Sequence, residues 1–144
     1  MACGPGAPDL MADHPAAKGL AALRRGDAAQ ALREFERLLE AEPNGVPGHF
    51  LRVEALLALG DRARARESLL GLVSRFPFAE GACRERLAIL ALQDGDADTA
   101  VSELTRATAA GWSNADAVRG AEAFAPFASD ARFAPLFAAA ARNE

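Results

Sequence analysis

From Ala28 to Ala41 apolar residues recur at helical spacing. Ala31, Leu32, Phe35, Leu38 and Leu39 fall on one face, and Arg33, Glu34, Glu36, Arg37 and Glu40 on the other, which predicts an amphipathic helix. Asp27 stands at the N-cap position, and Gln30, three residues on, completes a capping-box pattern. The arrangement returns twice. Gly60-Asp61 is followed by Ala65, Leu69 and Leu72, and Gly95-Asp96 by Ala100, Leu104 and Ala107. The glycines at 26, 60 and 95 lie 34 and 35 residues apart, a period that marks an array of helical hairpins. At each recurrence glycine closes one helix at low conformational cost and aspartate opens the next.

The segments between read as the first helix of each hairpin. Asp13 offers an N-cap and Pro15 fits a first turn, so a helix to about Arg25 is expected, burying Leu20 and Leu23 and using Gly19 for close approach. Pro43-Asn44-Gly45 is a turn, and Pro47 opens a third helix reaching Leu59. A fourth runs from the Asp61 cap to Arg75 and stops at Phe76-Pro77-Phe78. A fifth covers 81–93 with Leu87, Ala88, Leu90 and Ala91, and a sixth ends near Ala109. The extra residue of the second interval is assigned to the turn at 78–81, where a loop absorbs it.

The last stretch differs in kind. Ala110-Gly111-Trp112-Ser113 breaks the sixth helix, and a short seventh is expected from Asn114 to Ala121, capped by Ser113 or Asn114. Phe124, Phe127, Phe133 and Phe137 are half of the chain's eight phenylalanines. Ser129-Asp130 offers a cap for a final helix with Phe133, Leu136, Phe137 and Ala140 inward. Such a segment suits the end of a repeat array, whose last unit must cover an apolar face.

These residues resemble the tetratricopeptide repeat. Repeat one, about 12–45, carries Gly19, Gly26, Asp27, Ala31, Phe35, Leu38 and Pro43; repeat two, about 46–79, carries Val53, Gly60, Asp61, Ala65, Leu69, Leu72 and Pro77. Repeat three, about 81–112, carries Leu87, Ala88, Gly95, Asp96, Ala100, Leu104 and Ala107, with Trp112 in place of the closing proline. The aromatics usual in the first helices are replaced by Pro15, His49 and Arg84 and by Ala22, Leu56 and Ala91. Asp130-Ala131-Arg132-Phe133 looks like the Asp-Pro-Arg-Phe motif that often closes bacterial arrays of this kind. The resemblance implies an all-α, right-handed superhelix of seven or eight antiparallel helices. Its expected divisions are a leader at 1–11, three repeats over 12–111, and a divergent capping repeat at 112–144.

Composition narrows the function classes. The net charge is −4, with Lys18 the sole lysine, a balance that argues against a nucleic-acid-binding surface. No apolar run approaches the roughly 20 residues of a membrane helix. Cys3 and Cys83 form neither a disulfide framework nor a metal pattern, and as free thiols they fit a reducing, cytoplasmic setting. Met1-Ala2-Cys3-Gly4 resembles the end of a lipoprotein cleavage box, which would make Cys3 a lipid anchor if the start lay upstream. For catalysis the candidates are His14, His49 and Cys83, the last beside Arg84 and Arg86; none has an evident orienting partner. Asp94, Asp96 and Asp98 alternate as in a calcium loop, but no closing glutamate follows. Neither cofactor nor metal is expected.

What the resemblance implies is a non-catalytic protein-binding module. Its partner, a peptide or helix of another protein, would lie in a groove formed by the first helices. Carried over by phase, the groove residues are Leu20, Leu23 and Arg24, then Phe50, Glu54 and Leu57, then Glu85, Ile89 and Leu92. The lysines and asparagines with which chaperone-binding members grip a carboxylate are missing; Arg86 alone remains. The alternative is a structural subunit of an envelope or secretion assembly. In either case a monomer or weak oligomer is expected.

Overall fold

A computed structural model describes residues 13–144, and no strand occurs among them. The expected leader and Cys3 lie outside the described residues. The described residues form eight α-helices in order: α1 Pro15–Arg24, α2 Ala28–Ala41, α3 Val46–Ala58, α4 Arg62–Arg75, α5 Glu80–Gln93, α6 Ala97–Ala109, α7 Ala115–Arg119 and α8 Phe133–Arg142. Two 3-10 turns, Pro77–Ala79 and Glu122–Phe127, stand before α5 and α8. The chain divides into two compact units between Ser68 and Leu69, inside α4.

The hinges form as their residues dictate. Gly26, Gly60 and Gly95 have φ of 82°, 81° and 74°, a region that favours glycine. The N–H of each following aspartate returns to a carbonyl of the preceding helix: Asp27 to Ala22 at 2.8 Å, Asp61 to Leu56 at 2.9 Å and Asp96 to Ala91 at 2.8 Å. Each aspartate side chain then accepts the N–H three residues on, from Gln30 (3.1 Å), Arg64 (3.1 Å) and Thr99 (3.0 Å). One dipeptide thus satisfies orphan carbonyls on one helix and an orphan N–H on the next. Gly111, φ 93°, closes α6 in the same manner, with Trp112 N–H on the Ala107 carbonyl at 2.9 Å. No aspartate follows it.

Other local expectations were overridden. The cap of α1 is His14, whose Nδ1 accepts from Ala16 N at 3.2 Å; Asp13 stands one residue too early. Gln30 does not close a capping box, because the Asp27 N–H is already taken by Ala22. Its Nε2 donates instead to Glu34 at 2.8 Å. Glu34, expected on the polar face, is 2 % exposed. Gln30 and Arg37 (3.2 Å) supply the donors that a buried carboxylate requires.

In the first unit α1, α2 and α3 pack together. Phe35, Ala31, Ala22 and Ala55 form a core flanked by Leu23, Leu32 and Leu51. Gly19 lies against the Phe35 ring so closely that an added Cβ would fall 2.3 Å from it. Gly48 likewise admits Leu38 and Leu39. His49 is half-buried, and its Nε2 donates to the Pro43 carbonyl at 2.8 Å, tying α3 to the preceding turn.

In the second unit α5 packs on α6, and α6 on α8. Ala88, Ala91, Leu92, Ala100, Leu104, Ala107, Trp112, Val118, Phe124 and Phe133 belong to one core. Phe124 meets Phe133 and Phe137 edge-on, at centroid distances of 5.2 and 5.4 Å. The 3-10 turn Glu122–Phe127, not expected from the sequence, presents Phe124 to them. Arg84, where an aromatic is usual in the resembling family, bridges Glu80 (3.2 Å) and Glu103 (2.9 Å) and so links α5 to α6. Asp130 does not cap α8. It accepts the Arg132 N–H at 3.0 Å in the turn before the helix, and Arg132 reaches Asp98 of α6 at 2.6 Å.

Candidate functional site

Four large apolar side chains are exposed among the described residues: Leu20 on α1, Leu59 at the end of α3, Leu70 on α4 and Phe78 before α5. In the first unit α1 and α3 lie in contact. Leu20 on α1 is 38 % exposed, contrary to its expected burial, with Arg24 exposed and Leu23 half-buried. On α3, Phe50, Glu54 and Leu57 are half-buried. Leu23 also leans on the Phe35 core, so this face is anchored from beneath and leaves Leu20 exposed.

The α5 residues divide differently. Leu92, expected in the groove, is 3 % exposed and belongs to the core, because α6 covers that side of α5. Ile89 is half-buried against the same core. Glu85 faces a cavity of about 280 Å³ lined by Phe78, Gly81, Ala82, Ala110, Gly111, Trp112, Ser113 and Asn114. The Trp112 indole donates to Glu85 Oε1 at 2.9 Å. Gly81 makes room for this, since an added Cβ there would stand 3.3 Å from Trp112 Cβ. The Asn114 side chain also bonds to Glu85, which is why Asn114 places no side-chain cap on α7. Burial lifts the Glu85 carboxyl above the ordinary carboxylate range, and the donors from Trp112 and Asn114 offset that only in part. Phe78 at the same cavity is 80 % exposed, its ring edge-on to Phe76 at 5.9 Å.

Phe78, Trp112 and Asn114 were not singled out as site residues from the sequence. The available signal was the chain's one tryptophan standing where a repeat-closing proline is usual.

The residues offered for chemistry are otherwise engaged. Cys83 is fully buried, and desolvation pushes its thiol up to about 11, opposed by Arg84; a thiolate nucleophile needs the opposite shift. His49 holds the Pro43 turn and His14 caps α1. Asp96 caps α6 and Asp98 carries Arg132. Among the described residues no cluster of three or more His, Cys, Asp or Glu side chains is placed to hold a metal ion. No helix among them is long and apolar enough to cross a membrane.

A family model described as tetratricopeptide repeat matches residues 22–83, from the last turn of α1 to the first turn of α5. No curated protein matches the sequence.

Proposed function

This chain is a tetratricopeptide-repeat protein, and from that premise we propose that it binds an extended or helical segment of a partner protein on the face formed by α1 and α3. Repeats of this family are generally protein–protein interaction modules. The observation that carries the reading to a particular surface is Leu20, an apolar side chain left 38 % exposed on α1. Leu23, Phe50 and Leu57 lie half-buried on the same pair of contacting helices. An apolar anchor supported by packed neighbours and edged by Arg24 and Glu54 suits the apolar side of an amphipathic peptide, with polar groups to set its direction.

The test is selection of peptides from a displayed library, with a Leu20→Glu variant as the competitor. Leu20 is already in partial contact with water, so the variant is expected to keep the wild-type circular dichroism. Peptides enriched on the wild type are expected to bind it about tenfold or more weakly, the effect of placing a charge at an apolar anchor. Equal binding by the two proteins would place recognition elsewhere and defeat the proposal.

A further inference from the structure

Glu85 is the one ionisable side chain among the described residues lining the cavity at the N-terminal end of α5. Its carboxylate is positioned by the Trp112 indole and the Asn114 amide, yet a carboxylate offers about four acceptor sites, and these two donors use only part of them. Among the described residues no cation lines the cavity to neutralise it. Beside it stands Phe78, 80 % exposed, its ring set edge-on to Phe76. The second unit as a whole carries net charge of the same sign as Glu85. Residues 69–144 hold ten carboxylate side chains against seven arginines. Of those arginines, Arg84 is committed to Glu80 and Glu103, and Arg132 to Asp98 and Asp130.

We propose that this cavity takes an arginine side chain of a basic partner segment, its guanidinium paired with Glu85 and its plane laid on Phe78. An anion finds only a like charge here. An apolar side chain would bury the carboxylate further without giving it a donor, which is costly. A lysine would pair as a compact, strongly hydrated point charge, whereas a guanidinium is weakly hydrated and stacks on rings. The incomplete compensation of Glu85, evident in its raised pKa, is what a bound cation would relieve. The volume of about 280 Å³ admits one long side chain and no folded element. This inference rests on the protein-binding reading above and adds the chemistry of one partner residue.

The chain's single tryptophan provides a local readout, since the Trp112 indole N–H is bonded to Glu85 itself. The full-length protein is titrated with a five-residue peptide carrying a central arginine between glycines and serines, and with its citrulline counterpart, while the indole N–H resonance is followed. The arginine peptide is expected to shift that resonance saturably and the citrulline peptide to leave it in place. Glu85→Gln keeps an acceptor for the indole but loses the charge, and is expected to weaken the response about tenfold or more. Phe78→Ala, at an exposed site, is expected to weaken it about two- to fivefold. Absence of a saturable shift, an equal response to citrulline, or an unchanged response in Glu85→Gln would overturn the proposal. If Glu85→Gln abolishes the response while Leu20→Glu affects no selected peptide, the cavity assignment stands and the α1–α3 reading falls. The converse pair of results overturns the cavity assignment alone.

Discussion

Phe35 and Gly19 are matched in size across the α1–α2 hairpin: the ring occupies the volume that any side chain at position 19 would need. The corresponding positions of the α5–α6 hairpin hold Leu104 and Ala88, both fully buried in one core. A larger residue on the second helix is thus accompanied by a smaller one on the first. The close packing of interiors requires such compensation.

Gly19→Ala is therefore expected to destabilise the chain by about 1–3 kcal/mol through overpacking, although alanine is the better helix former. Phe35→Leu alone is expected to destabilise by leaving a void. The double variant, which reproduces the Ala88–Leu104 pair, should lose less than the two losses together. A double-mutant cycle from urea denaturation checks this, and strict additivity would show that the two positions are not coupled.

Asn143 joins the C-terminal end of α8 to the end of α6. Its side-chain amide donates to the carbonyls of Trp112 (2.9 Å) and Thr108 (3.0 Å), both beside the Gly111 closure. Asn143→Ala is expected to cost about 0.5–1.5 kcal/mol. Amide exchange should quicken in α8 and at the Trp112 N–H ahead of the rest of the second unit. Uniform exchange across that unit would show that the contact does not secure this end.

Asp130 is held well below the usual carboxylate range, at about 2, by the Arg132 guanidinium first and then by the Arg132 N–H. A depressed pKa contributes stability above the unfolded value, here 3.8, that is lost as pH falls through about 2. The difference in Tm between the wild type and Asp130→Asn is expected to be constant above pH about 4 and to shrink between pH about 4 and 2. A difference independent of pH across that window would rule out the Arg132 contact as its source.

Cys83 is expected to be inert in the folded protein. Raising the thiol from 9.0 to about 11 leaves about a hundredfold less thiolate at pH 8, and burial blocks access as well. In a Cys3→Ser background, a disulfide-exchange reagent at pH 8 should modify Cys83 only as fast as the chain opens, and fully in denaturant. Rapid stoichiometric reaction under native conditions would contradict the placement of this side chain.

Some of the site was legible before the fold and some was not. Ser113 and Asn114 both look like caps for α7 from the sequence alone. A sequence cannot show that Asn114 turns away to Glu85, because that partner lies on another helix. Leu92 and Ile89 are equally apolar, three residues apart on one helix, yet one is buried and the other half-exposed. Periodicity assigns both to apolar faces but cannot say where α6 will lie. Phe78 reads as part of a helix stop, and its exposure follows from the 3-10 turn that carries it.

By itself the sequence determined the hairpins, their spacing and their hinges. Those features rest on hydrogen bonds that reach at most five residues along the chain, as at Asp27, Asp61 and Asp96. Gly-Asp encodes them without help from distant segments. Only the tertiary structure decided that Glu34 would be buried, that Leu92 would join the core, and that Trp112 would reach back 27 residues to Glu85. In each case the outcome depends on which helix covers a side chain, and local propensity carries no term for that.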